Sequence, residues 1–163
     1  MPEYDIDFAA ALAASARTII KQDGSTLQAN RIGIYLSLLS IEISLKSFLE
    51  RGGYAISKIR SHQHDLKSLL KEVGKLKIPH EVLPHTTALT SAAKLRAIKI
   101  EYEGATSTIG KIIDCENPKP SSYPNELRYG EKLVHFPTEA LIKVSEEIVR
   151  FVKDNWDHIQ ENP

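Results

Sequence analysis

From Leu27 to Leu49 the chain reads LQANRIGIYLSLLSIEISLKSFL, apolar or small at almost every position. A helix lying on a surface needs a polar face, and this stretch offers none, so it predicts a central helix covered on all sides. Gly33, Ser37, Ser40, Ser44 and Ser47 recur at three- and four-residue steps. That spacing keeps the small residues on one face, where another helix backbone can come close. Upstream, FAAALAASARTIIK predicts a first helix to about Lys21, capped by Asp5 or Asp7 and broken at Asp23-Gly24-Ser25. Its alanines suit the small-residue face; a dimer seam is the other use for that face. Ser25 or Thr26 can cap the central helix, and Gly52-Gly53 ends it.

Tyr54 to Gln63 reads as a loop. Leu66, Leu69, Leu70 and Val73 then form one face of a short helix opened by His64-Asp65 and closed by Gly74. Pro79 and Pro84 punctuate a connector. A longer helical stretch is expected from about Thr86 to Glu103, resuming beyond Gly104 through Ile109, Ile112 and Ile113. Pro118, Pro120, Pro124 and Pro137 mark an irregular part. Within it Leu127, Tyr129, Leu133 and His135 alternate, which fits a hairpin turning at Gly130-Glu131 and equally a helical extension. The last helix starts near Pro137 and runs to about Ile159, with Ala140, Leu141, Val144, Ile148, Phe151, Val152 and Trp156 at helical spacing. The pattern predicts one all-α domain over residues 1–163, a bundle of four to five helices with a short β-hairpin near 126–136 as an added element.

Composition narrows the function without naming it. The 163 residues carry ordinary apolar and charged fractions, and the formal net charge is zero, which argues against a general nucleic-acid binder with a uniformly basic surface. Charge is nevertheless sorted along the chain. Arg51, Lys58, Arg60, Lys67, Lys71, Lys75 and Lys77 face only Asp65 and Glu72 in their segment, whereas the last helix is acidic. Cys115, alone, cannot form an internal disulfide, and a cytoplasmic setting is expected. The acidic start Met1-Pro2-Glu3-Tyr4-Asp5 is unlike a signal peptide, and Arg31 and Glu42 bracket too short an apolar run for a membrane span. No glycine-rich phosphate loop, nucleophile elbow or paired-cysteine motif occurs, and no cofactor is expected.

Three features together resemble the HEPN superfamily of small helical domains. They are Glu42 and Lys46 within SIEISLKSFL, the polar loop ahead of His64-Asp65-Leu66 in SHQHDLKSLL, and Leu127-Arg128-Tyr129 before the last helix. The resemblance implies a helical bundle that often forms homodimers. Many such domains are metal-independent RNases or toxins of toxin–antitoxin and phage-defence systems, with an antitoxin or nucleotidyltransferase as partner. Others bind nucleotides or proteins without catalysis. The catalytic pair of the family is an arginine and a histidine, matched here by Arg128 and His135; Tyr129 stands where a small polar residue is usual, and Gly130 lies between the pair.

Each candidate has a functional and a plainer assignment. His135 could take the proton of a ribose hydroxyl while Arg128 binds the phosphodiester. Alternatively, Arg128 ties the proline-rich loop to an acidic helix and His135 caps the last helix. Arg60, His62, His64 and Lys67 are candidate binding residues for a nucleotide or RNA, with Arg60, His62 and the start of the short helix forming an anion site. Asp65 as a helix cap is the plainer role there. A metal at His62, His64 and Asp65 lacks the spacing of a known site. Glu42 and Lys46, one helical turn apart, predict an ion pair in which Glu42 either orients Arg128 or His64 or simply packs.

Overall fold

The computed structural model describes residues 1–83, 86–116 and 136–159. Helix α1 (Ile6–Asp23) starts where the Asp5 carboxylate accepts the Asp7 amide at 2.8 Å. Helix α2 (Leu27–Arg51) starts where the Thr26 hydroxyl accepts the Ala29 amide at 3.1 Å. It ends at Gly52, followed by Gly53 at φ +83°, a left-handed conformation that a Cβ would strain.

Helix α2 is the core rod. Ile34, Leu38, Ile41, Leu45, Phe48 and Leu49 are all 2% exposed or less. It is long and apolar enough to cross a membrane by composition alone, but 72% of that apolar window is buried inside the molecule. Ala9, Ala13 and Ala16 of α1 are buried against it, and a Cβ on Gly33 would sit 3.1 Å from Ile20 of α1. Ser40 Oγ donates to the Ala9 carbonyl at 2.7 Å, so the small-residue face serves the contact with α1. The hydroxyls of Ser37 and Ser44 are buried with no hydrogen-bond partner among the described residues. Their small size, not their polarity, is what the packing uses.

Helix α6 (Thr138–Asp154) lies on both α1 and α2. Ala140, Leu141, Val144, Ile148 and Val152 are buried in its seam, and Phe151 meets Phe48 edge-on at 5.9 Å. Arg17 of α1 grips Glu146 through two nitrogens at 2.8 Å and Glu139 at 2.6 Å, tying α1 to α6. Hydrogen bonding to Glu146 and then to Glu139 holds its guanidinium protonated well beyond the usual range.

The remaining elements close the other side of α2. They are α3 (Ile56–Ser61), α4 (Leu66–Val73), the hairpin β1 (Lys77–Leu83) with β2 (Thr86–Ser91), a 3₁₀ segment at Ala92–Ala97, the hairpin β3 (Lys99–Tyr102) with β4 (Ala105–Thr108), and α5 (Ile109–Glu116). Leu66, Leu69, Leu70 and Val73 of α4 and Ile109, Ile112 and Ile113 of α5 join the α2 core. The protein is thus mostly helical, a bundle carrying short antiparallel hairpins.

Three expectations change, the first being that the connector marked by Pro79 is strand β1. The stretch 54–63 contains α3, a single turn and a half anchored by buried Ile59. The helix expected from Thr86 to Glu103 is instead strand, 3₁₀ segment and strand. Threonine and isoleucine dominate its two ends and favour extended pairing, leaving only the alanine-rich middle to coil. Glu103 and Gly104, at φ +46° and +78°, make the two-residue turn that pairs Tyr102 with Ala105. The hairpin expected near 126–136 lies outside the described residues, apart from Phe136.

Ser37→Ala should raise stability by about 1 kcal/mol, because it removes a buried unsatisfied hydroxyl, whereas Ser40→Ala should lower it by a similar amount. Urea midpoints for the two variants check this; a shift of the same sign in both would contradict the packing described.

Candidate functional site

Two of the charges of α2 are buried, one helical turn apart. Glu42 and Lys46 are 5% and 7% exposed, and Lys46 Nζ donates to Glu42 Oε1 at 2.7 Å. A buried pair of this kind repays its desolvation only with further partners, and both have them. His64, in the turn before α4, approaches Glu42 Oε2 through Nδ1 at 3.0 Å. A carboxylate oxygen only accepts, so Nδ1 carries the proton. The imidazole is 49% exposed, held from beneath by a carboxylate that solvent scarcely reaches.

The N-terminal arm covers the pair. Glu50 of α2 accepts the backbone amides of Glu3 and Tyr4, both at 2.9 Å, which lays the Tyr4 ring 5.4 Å from Lys46 Nζ. Burial, with the Glu3 charge beside it, pushes the Tyr4 phenol up. Arg60 of α3 closes the clasp by a two-pronged bond to Glu3 at 2.8 and 2.7 Å. That bond holds the Glu3 carboxyl below its usual range and raises the Arg60 guanidinium. Arg60 therefore fastens the N-terminal arm in this structure.

On the neighbouring surface Asp65 caps α4, accepting the Ser68 amide at 2.9 Å, and His62 Nδ1 shares a 2.6 Å hydrogen bond with the Ser68 hydroxyl. Ser68 and Asp65 begin a groove of about 670 Å³ that runs along α4 to the 3₁₀ segment. Lys67, Lys71, Lys75 and Arg96 line it, and Asp65 is the one carboxylate among the lining residues. Among the described residues Lys67 and Lys71 make no ion pair. Lys75 is bonded to Glu72 at 2.5 Å and Arg96 to Asp114 at 2.7 Å. Two smaller hollows beside β3 and α6 are mixed in sign, lined by Lys99 or Lys143 with Glu101, Glu103, Glu146 or Glu147. Of these three hollows among the described residues, the α4 groove has a net positive lining.

The structure thus brings His62 and Lys67 to the groove and its rim, joins His64 to Glu42 and Lys46, and turns Arg60 toward Glu3. Arg128 and His135 lie outside the described residues. Among the described residues no cluster of His, Cys, Asp and Glu is arranged to hold a metal ion. Arg96 was not singled out from the sequence. It arrives through the 3₁₀ segment, and its guanidinium passes so close over Gly110 that a Cβ there would meet Nη2 at 3.0 Å. Tyr4 and Glu3 were missed because nothing local to the first five residues shows where they dock. Comparison with family models, curated proteins and solved structures finds no match for this chain.

Glu42→Ala should destabilise the fold by about 3–5 kcal/mol by stranding the Lys46 charge, and adding Lys46→Met should recover much of the loss. Denaturant unfolding of the single and double variants measures this; a double variant no better than the single would contradict it. The groove edge also carries a pH signature. Lys75, then Lys58 and Tyr54, hold the Glu72 carboxyl below its ordinary value of 4.5. The unfolded chain therefore binds this proton more readily, so the contribution is present above pH 4.5 and lost as pH falls through the folded value. Glu72→Gln should flatten that part of the stability profile, measured as urea midpoints against pH.

Proposed function

We propose that this chain is a HEPN-like module that binds a phosphate-bearing ligand, a nucleotide or an RNA strand, along the α4 groove in a cytoplasmic setting. The observation that carries the reading is the groove's lining: Lys67, Lys71, Lys75 and Arg96 with Asp65 as the lone carboxylate. One Asp65 oxygen is already committed to the Ser68 amide, which lowers its repulsion toward an anion. Lysine ammonium groups act as point charges toward phosphate, while Arg96 can add a directed N–H bond. The sorted charge of the chain, neutral overall yet basic here, fits a ligand gripped at one place instead of over the whole surface.

RNA cleavage without a metal is the second reading, favoured by His64 held on the buried Glu42 carboxylate beside the residue that opens the groove. An imidazole so placed can take or give a proton at a ribose hydroxyl, and Arg128 with His135 remain the pair that the family resemblance proposes for the chemistry.

Labelled RNA and nucleotides titrated at low salt should bind. Lys67→Glu with Lys71→Glu should weaken binding at least about tenfold and reduce the salt dependence. Absence of binding at low salt would count against the module. Incubation with RNA in chelator separates the two readings. Cyclic-phosphate ends abolished by His135→Ala or His64→Ala support cleavage, and intact RNA supports binding alone.

A further inference from the structure

Charge fastens residues 1–4 to the body of the protein. Asp5 marks their hinge, because its carboxylate caps α1 and its carbonyl accepts the Ala9 amide at 3.1 Å. Ahead of it, Glu50 accepts the amides of Glu3 and Tyr4, and Arg60 holds both oxygens of the Glu3 carboxylate. Behind Arg60, the Tyr4 phenol and the Lys46 ammonium add to the pull on the same carboxylate. The fastening lies in solvent, with the Arg60 side chain 66% exposed and that of Glu3 33%. Ion pairs so exposed are weak and screened by salt, so this hold exchanges readily.

What the arm covers can exist in two states. Lys46 is 7% exposed, bonded to Glu42 at 2.7 Å and faced by the Tyr4 ring at 5.4 Å. With the arm down, the ring face completes the surroundings of the ammonium. With the arm lifted, water takes the place of the ring, and the bond to Glu42 survives in both arrangements. Glu50, half-buried at the end of α2, regains water as well. Neither state strands a charge, so the equilibrium between them responds to whatever competes for Arg60.

The bond to Glu3 shows the chemistry of that competitor. Two nitrogens of one guanidinium hold two oxygens of one anion, the arrangement by which arginine takes phosphate as well as carboxylate. Because Glu3 is tethered, it competes at an effective concentration on the order of millimolar. A free carboxylate brings nothing more than Glu3 does. A phosphate ion brings up to about two charges and additional acceptor oxygens, with Lys46 nearby as a second cation.

We infer that residues 1–4 are a latch over Lys46, and that a free phosphate ion opens it by taking from Glu3 the two N–H bonds of Arg60. The latch lies apart from the α4 groove and does not rest on the function proposed for it.

Acylation of Lys46 by an amine-reactive ester, read by peptide mass spectrometry against exposed Lys21 as internal standard, measures the opening. Inorganic phosphate at about 10 mM should raise the Lys46 rate at least about fivefold. Chloride and acetate at equal ionic strength should leave it unchanged. Glu3→Gln should show the raised rate without phosphate, and Arg60→Ala should show it too and gain nothing from phosphate. Lys67→Glu with Lys71→Glu should respond as the unsubstituted chain does, which separates the latch from the groove. Equal Lys46 rates in Glu3→Gln and the unsubstituted chain overturn the inference. So does a response to acetate or chloride that matches the response to phosphate, or a phosphate response that survives Arg60→Ala. Labelling no faster than the urea unfolding constant of the same sample allows overturns it as well, since global unfolding would then expose Lys46.

Discussion

Helix α2 has almost no polar surface to give to water, and the other elements are arranged to cover it. The alanines of α1 bring one backbone close, α6 fills the groove beside it, and α4 with α5 closes the opposite side. Burying a large aliphatic or aromatic side chain is worth about 1.5–3 kcal/mol, and α2 contributes Leu38, Ile41, Leu45, Phe48 and Leu49 to the core, each nearly or fully buried. Small residues on the α1 side let the helices approach without leaving voids. Even the cost of two serine hydroxyls without a hydrogen-bond partner among the described residues is accepted for that closeness.

The same helix then has to house Glu42 and Lys46. Two charges inside an apolar layer are tolerable only when each meets the other and further polar groups. The N-terminal arm and the turn before α4 supply them, through the Tyr4 ring over Lys46 and His64 against Glu42. A core requirement thereby positions a half-exposed histidine on a rigid support. Arg60 shows the converse. Its place in a basic run suggests anion binding, yet Glu3 takes its guanidinium and turns it into a fastener.

Charge along α4 works differently because its apolar side is fully used. Leu66, Leu69, Leu70 and Val73 face the core, so Lys67 and Lys71 must project on the other side, toward the 3₁₀ segment that brings Arg96. The groove follows from a short amphipathic helix set beside a segment of like charge.

The long helices were legible because their apolar period, caps and glycine stops act within a few residues of each other. Asp5, Thr26 and Asp65 each cap the helix they precede, and the Glu42–Lys46 pair closes one turn of α2. By itself, then, the sequence determined the central helix, its small-residue partner and the basic character of the α4 surface, since helical spacing and local charge suffice for all three. Residues 86–103 were not readable in this way, because alanine, leucine and lysine in their middle favour a helix while partner strands from outside the stretch reward extension. Only the tertiary structure decided that Glu3 and Tyr4 cross to α2 and α3, that Arg96 joins the lysines, and that Phe8 and Ile32 remain on the surface. Those outcomes depend on contacts between residues far apart in the chain, whose geometry exists only once α2 has been covered.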